Sequence, residues 1–158
     1  MHISNLGKTF ENNFKDNWKK CFPQSFIYRL SDQMSGYRYT SSNICDFICF
    51  NNKILFLIEL KSHKGASLPF VNITQYEKLK GKVGIPGVRA GIILWLYEKD
   101  IVMYIPISTI TQMKSDGKKS VGLKAIEEGY NIKIIPSQKK RVFMDSDYSC
   151  LCDLKDGE

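Results

Sequence analysis

Apolar residues near the N-terminus recur at intervals of three or four positions, with charged and polar residues between them. The apolar positions are Phe10, Phe14, Trp18 and Cys21. Because this spacing places them on one face of a helix, the pattern predicts an amphipathic helix over residues 5–21. Pro23 follows directly, as is typical just beyond the end of a helix.

Six later segments are rich in apolar residues and are bounded by turn-forming residues. They predict strands at residues 24–30, 45–50, 54–61, 89–97, 101–105 and 132–135, the last at a sheet edge. The second and third strands are joined by Asn51-Asn52-Lys53, which suits a tight β-hairpin. The third is apolar at nearly every position, as expected of a strand buried on both faces.

A helical pattern over residues 72–82 separates two of these strands, and a short helix is expected after Ser108. The order α-β-β-β-α-β-β predicts an α/β fold with a central mixed β-sheet flanked by helices. The crossover through the second helix should be right-handed. We expect one domain over residues 1–145 and a loose C-terminal tail over residues 146–158.

The composition is typical of a globular protein, and it argues against a membrane or a disordered protein. The 158 residues suit one domain, and 43% of them are hydrophobic. No apolar run approaches the roughly 20 residues that span a bilayer. The first twenty residues also lack the apolar core of a signal peptide. We therefore expect a cytoplasmic location.

The net charge of +7 is compatible with binding a polyanion, because lysine and arginine displace counterions from phosphates. Many small basic proteins have no such role, so charge alone does not decide. The five cysteines are scattered and odd in number, which argues against a disulfide framework. Cys150 and Cys152 form a CxC pair, but no second pair lies nearby to complete a zinc site.

Three residues of the predicted hairpin carry the strongest chemical signal. Glu59 and Lys61 are two positions apart on a strand, so their side chains leave the same face. They follow an apolar run, where burying charges is costly unless they are paired or hold a metal ion. A hairpin turning at residues 51–53 places Asp46 opposite residue 58 or 59. Its carboxylate can therefore lie beside that of Glu59.

Two adjacent carboxylates repel each other unless a cation lies between them. Mg²⁺ prefers oxygen ligands and keeps several waters, so the pair suits Mg²⁺ better than Zn²⁺. A metal ion there can polarise a phosphoryl oxygen and lower the pKa of a bound water. Lys61 can orient that water or offset charge on the phosphate. The alternative is a structural ion pair between Lys61 and an acidic residue.

The pattern D-x(12)-E-x-K on a β-hairpin, behind an acidic first helix, resembles the PD-(D/E)xK nuclease superfamily. Within it, the chain resembles the RecU-type Holliday junction resolvases of Gram-positive bacteria and their phages. The resemblance covers residues 7–105. It rests on GKTFE at residues 7–11, ICDF at 44–47, IELKS at 58–62 and SLPFVNITQYEKL at 67–79. A restriction-endonuclease-like core is the fold that it implies.

The resemblance also implies roles for individual residues. It implies metal ligands at Asp46, Glu59, the Leu60 carbonyl and Gln75, and catalytic roles for Asp46, Glu59, Lys61 and Glu11. Gln75 has a second interpretation, as a capping partner of Asn72 at the start of its helix. Glu11 has one as well, as a solvated residue of the first helix.

Several basic and aromatic residues are candidates for DNA contacts. They are Tyr37, Arg38, Tyr39, His63, Lys64, Lys78 and Lys82. The first three lie where the junction-contacting stalk of the resembling enzymes begins, and they can stack on exposed bases. Arg89 and Lys80 lie near the presumed cleft. Clusters at residues 118–119 and 139–141 can bind backbone phosphates, although such clusters are more often solvated surface.

These expectations combine into a Mg²⁺-dependent endonuclease acting on branched DNA, in which Mn²⁺ can substitute. The resemblance implies a homodimer, because a junction with near two-fold symmetry needs two active sites related by a matching axis. It also implies a bacterial cell or a phage-infected host. Two alternatives remain open at this point. One is a PD-(D/E)xK endonuclease acting on duplex DNA, and the other is a basic DNA-binding protein with this fold but no catalysis.

Overall fold

A computed structural model describes residues 5–31 and 42–154 of the chain. Its helices are α1 (Leu6–Cys21), α2 (Tyr76–Lys80), α3 (Ile107–Ser115) and α4 (Leu123–Glu127), with 3-10 helices at Phe70–Asn72 and Tyr148–Asp153. Its strands are β1 (Phe26–Arg29), β2 (Phe47–Asn51), β3 (Ile54–His63), β4 (Ser67–Pro69), β5 (Val88–Leu96), β6 (Ile101–Pro106), β7 (Ser120–Gly122), β8 (Lys133–Ile135), β9 (Ser137–Lys139) and β10 (Met144–Ser146).

Six strands form the central sheet in the order β1-β2-β3-β5-β6-β8. The pair β3 and β5 is parallel, and the other neighbouring strands are antiparallel. The two parallel strands lie at the centre, which explains why their sequences are apolar on both faces. The predicted α/β fold with a central mixed sheet and flanking helices is therefore confirmed.

Helix α1 covers one face of the sheet through its apolar stripe. Phe14 packs edge-on against Phe47 of β2, with ring centroids 5.1 Å apart. Trp18 packs against Phe56 of β3 in the same way, at 5.4 Å. Because aromatic side chains bury large areas and prefer such edge contacts, they hold α1 firmly against β2 and β3.

Helices α2, α3 and α4 cover the opposite face. Leu79 of α2 and Ile110 of α3 pack in one core with Ile92 and Leu94 of β5. The carboxyl end of β3 therefore lies between α1 on one face of the sheet and α2 on the other. Within the described ranges, every helix is too short or too polar to cross a bilayer.

Two sequence expectations about local structure are wrong. The helix expected at residues 72–82 is a 3-10 turn followed by five residues of α2, because Ile73 leaves the helical region (φ −98°, ψ 76°) to bury its side chain. The tail expected to be loose from residue 146 is ordered through Leu154. Tyr148 and Leu151 are buried there beneath α1, and this packing offsets the entropy of ordering the segment.

Gly91 of β5 allows close packing between β5 and β6 in the core. A Cβ atom at this position would overlap the buried ring of Tyr104 on β6. We expect Gly91→Ala to destabilise the protein by about 1–3 kcal/mol, the usual cost of overpacking. Urea unfolding measures this change. Gly7→Ala in α1, where no atom lies near the new methyl group, is the matched control and should be neutral or slightly stabilising. An unchanged free energy of unfolding for Gly91→Ala would contradict the prediction.

Candidate active site

The β2–β3 hairpin brings Asp46 to the end of β3. Its turn places Asn52 and Lys53 at φ 48° and 68°, as a tight two-residue hairpin turn requires. Phe47 pairs with Ile58, so the register is one of the two expected from the sequence. The Asp46 N–H donates to the Ile58 carbonyl at 3.1 Å, and the Leu60 N–H donates to Asp46 Oδ2 at 2.8 Å. The Asp46 carboxylate is thereby held over the main chain of β3.

Glu59 and Lys61 form an ion pair on one face of β3. Lys61 Nζ lies 3.0 Å from Glu59 Oε1. The side chain of Glu59 is only 2% exposed, whereas that of Lys61 is 22% exposed. Glu59 Oε2 is buried and has no hydrogen-bond partner among the described residues. A buried carboxylate oxygen without a donor is costly unless a proton or a cation meets it.

Both carboxylates are harder to ionise than ordinary carboxyl groups. Burial, followed by the charge of Asp46, raises the pKa of Glu59 to about 7, and Lys61 opposes the shift only in part. Burial also raises the pKa of Asp46, while the Leu60 N–H counteracts it. Both effects follow from placing like charges in a partly dehydrated site. The site therefore favours a proton or a cation between the two carboxylates.

Glu11 and Arg29 complete the same end of the sheet. Arg29 Nε lies 2.5 Å from Glu11 Oε2, joining β1 to α1. The charge of Glu11 raises the pKa of both Asp46 and Glu59, and Arg29 lowers the pKa of Asp46. Glu11 is thus part of the charged cluster and not merely a solvated helix residue.

Arg29 was missed by the sequence analysis. The available signal was an arginine ending a strand in which alternate residues, Ile27 among them, pack towards α1. A charged side chain on the face of β1 that packs towards α1 is costly unless α1 supplies a partner. Glu11 is that partner. Only the packing of α1 on the sheet reveals the pair.

The donor set at this site suits a hard divalent cation. Among the residues that the structure describes, no three histidine, cysteine, aspartate or glutamate side chains converge as a ligand group. The available donors are the carboxylates of Asp46 and Glu59 and the Leu60 carbonyl. That carbonyl points to the same edge of β3 as the Leu60 N–H, which bonds Asp46. Mg²⁺ fits such a set because it keeps several waters and uses only one or two carboxylates.

Gln75 is not joined to this cluster by any hydrogen bond between described residues. Its Oε1 accepts from the Thr74 hydroxyl at 2.8 Å, and its side chain caps no helix. The alternative interpretation, capping with Asn72, is therefore wrong. A metal-binding role for Gln75 stays a prediction.

The candidate DNA contacts fall in different places. His63 is half-buried at the end of β3, and Lys82 is exposed. Lys64 lies 3.6 Å from Glu98, and Lys78 donates to the main chain and side chain of Ser42. Residues 37–39, namely Tyr37, Arg38 and Tyr39, lie outside the described residues.

Arg89 pairs with Phe56 near the start of β3 and not with the end of β3 that carries Glu59 and Lys61, in contrast to the expectation from the sequence. It is buried on the α1 side of the sheet and donates to the carbonyls of Leu151 and Leu154. Its guanidinium also lies 5.9 Å from the centre of the Phe56 ring. Arg89 therefore ties the C-terminal 3-10 helix to β5.

Comparison with known proteins gives a likeness in structure. No protein-family model matches the sequence, and no curated protein matches it. The structure is similar to that of Hjc from Archaeoglobus fulgidus, a Holliday junction resolvase from an archaeal hyperthermophile. The TM-score is 0.55 at 19% sequence identity, and the match covers 78% of this chain and 94% of that chain. The chain therefore has the mixed α/β fold seen in this archaeal resolvase.

Proposed function

We propose that this protein is a Mg²⁺-dependent endonuclease that hydrolyses phosphodiester bonds in branched DNA. The observation that carries the proposal is the arrangement of charged side chains at the end of β3. There one oxygen of the buried Glu59, near Asp46, has no hydrogen-bond partner among the described residues, and Lys61 lies 3.0 Å from its other oxygen. The fold shared with an archaeal Holliday junction resolvase supports the same class of substrate.

Each side chain has a distinct role in this proposal. Asp46 and Glu59, with the Leu60 carbonyl, would hold Mg²⁺, or Mn²⁺ in its place. The ion would polarise a phosphoryl oxygen and lower the pKa of a bound water. Lys61, still partly exposed, can reach a phosphate oxygen and offset charge that builds there. Glu11 and Arg29 orient the cluster from the α1 side.

The ion pair between Lys61 and Glu59 also fits a purely structural role, so this alternative needs an argument. A structural pair is stable when its remaining lone pairs are satisfied. Here one oxygen of Glu59 finds no donor in the part of the chain that the structure describes, and burial together with the charge of Asp46 raises its pKa. This arrangement is costly without a cation, which supports a role in binding one.

The finer assignment is a RecU-like resolvase that acts as a homodimer in recombination or repair. It rests on the sequence resemblance and on the likeness to an archaeal junction resolvase. An endonuclease acting on duplex DNA would use the same catalytic residues as a resolvase. A non-catalytic DNA-binding protein would share only the fold. Substrate preference and metal-dependent cleavage separate the three.

The protein is expected to bind and cut four-way junctions in preference to linear duplex of equal length. Because the basic surface binds any duplex more weakly as salt rises, the preference should be clearest at moderate salt. Labelled junction and duplex compete for the protein at several salt concentrations, and incisions are mapped on all strands. A dimer should produce paired, opposed incisions. Equal affinity with scattered nicks would leave a duplex endonuclease, and binding without metal-dependent cleavage would leave the non-catalytic protein.

A further inference from the structure

A basic cavity lies beside the small sheet formed by β4 and β7. Its volume is about 300 Å³. The polar groups that line it are Ser67, Lys118, Lys119, Ser120, Lys124 and Glu128. Three lysines against one glutamate give this lining a net positive charge, and two hydroxyl groups add hydrogen-bond donors.

The main chain around this cavity is held in place by contacts with other elements. The Lys118 N–H donates to the Met113 carbonyl at 2.9 Å, and the Lys119 carbonyl accepts from the Phe70 N–H at 2.9 Å. Gly122 also lines the cavity, and a Cβ atom there would overlap the Ala66 carbonyl. The lysines therefore project from a fixed frame and not from a loose loop.

Glu128 organises two of the lysines. Its carboxylate lies 2.6 Å from Lys118 Nζ and 3.8 Å from Lys124 Nζ. One carboxylate cannot neutralise three ammonium groups, so positive charge remains for a ligand. Lys119 forms no ion pair with the residues that the structure describes.

We propose that this cavity binds a backbone phosphate of the DNA strand on which the candidate active site acts. Lysine ammonium groups suit phosphate as mobile point charges, and the hydroxyl groups of Ser67 and Ser120 supply directed donors. The inference rests on the proposed function, because the bound phosphate would belong to the DNA strand that the candidate active site cuts.

Chain connectivity places the cavity near the candidate active site. Ala66, which lines the cavity, is five residues beyond Lys61. A chain of that length spans at most about 18 Å. A nucleic-acid strand advances by about 3.4 Å per phosphate along its axis, so the bound phosphate lies on the order of five nucleotides from the cleaved bond.

The test compares two double variants that remove equal charge. Lys118→Gln/Lys119→Gln changes the cavity, and Lys15→Gln/Lys19→Gln changes exposed residues of α1. Binding to a labelled four-way junction is measured in a chelator at several salt concentrations, so that cleavage is not required. The cavity variant should reduce the slope of log affinity against log salt by about 0.9 for each phosphate that the protein no longer neutralises. The α1 variant should leave the slope unchanged.

Single neutral methylphosphonates along the strand then locate the phosphate. One substitution should weaken binding of the wild type but not of the cavity variant, at a position on the order of five nucleotides from the cleaved bond. Equal slopes for both variants and the wild type would overturn the cavity site and leave the nuclease proposal intact. Saturable binding of inorganic phosphate in the cavity, with the slope for DNA unchanged, would assign a free anion and overturn the proposal too. Failure of the wild type to cut, with the slopes still differing, would contradict only the nuclease.

Discussion

Glu59→Gln is expected to abolish nearly all metal-dependent cleavage while DNA binding survives or improves. The change removes a ligand charge from the end of β3 and keeps the size of the side chain. It also relieves repulsion between Glu59 and the DNA phosphates. Asp46→Asn should behave alike, because its amide oxygen can still accept the Leu60 N–H. Single-turnover cleavage and binding assays on the same junction measure the two effects.

Glu59→Gln should also be more stable than the wild type in the absence of metal. Burial and Asp46 raise the pKa of Glu59 from its ordinary value of 4.5 to about 7. Between these values the folded state holds a proton that the unfolded state has released. Stability therefore falls as pH rises from about 4.5 to about 7. Glutamine has no such charge, so the variant should melt at a higher temperature above pH 7. The gain should vanish towards pH 4.5.

Glu77→Gln on the exposed surface of α2 is the control for both measurements. It removes one negative charge from a residue outside the charged cluster, and cleavage and melting temperature should stay near wild type. Cleavage by Glu59→Gln at the wild-type rate in Mg²⁺ would remove Glu59 from the mechanism. A lower melting temperature at alkaline pH would show that the Lys61 pair outweighs the cost of burial.

Lys61→Ala is expected to slow cleavage by about 100-fold or more, the scale seen on losing one preorganised charge or donor. Its ammonium lies one strand repeat beyond Glu59 on the same face, where it can reach a phosphate. Because an ammonium is not a metal ligand, the Mg²⁺ concentration for half-maximal rate should change little above the pKa of Glu59. Below the pKa of Glu59, the Mg²⁺ concentration for half-maximal rate should rise, because loss of Lys61 raises the pKa of Glu59 further.

The matched control is Lys99→Ala, which changes an exposed lysine in the turn between β5 and β6. It should leave the cleavage rate close to wild type under the same conditions. A Lys61→Ala variant that regains the full rate at high Mg²⁺ would instead place Lys61 in metal binding. Both rates are measured with enzyme in excess, so that product release does not mask the chemical step.

The sequence by itself determined the central strands and the local part of the candidate site. Apolar runs of strand length, an asparagine-rich turn and short spacing are local properties, so they define the β2–β3 hairpin without the rest of the chain. The positions of Asp46, Glu59 and Lys61 follow from that hairpin register. Whether these residues bind a metal ion is still a prediction.

Only the tertiary structure decided which distant segments meet there. Glu11 and Arg29 are 18 residues apart, and they pair because aromatic side chains hold α1 against the sheet. Arg89 reaches carbonyls more than 60 residues away, and this contact orders a tail that looks loose from its polar sequence. The lysines of the cavity meet Ser67 because β4 pairs with β7. Such contacts depend on long-range packing, which no local pattern of apolar and polar residues encodes.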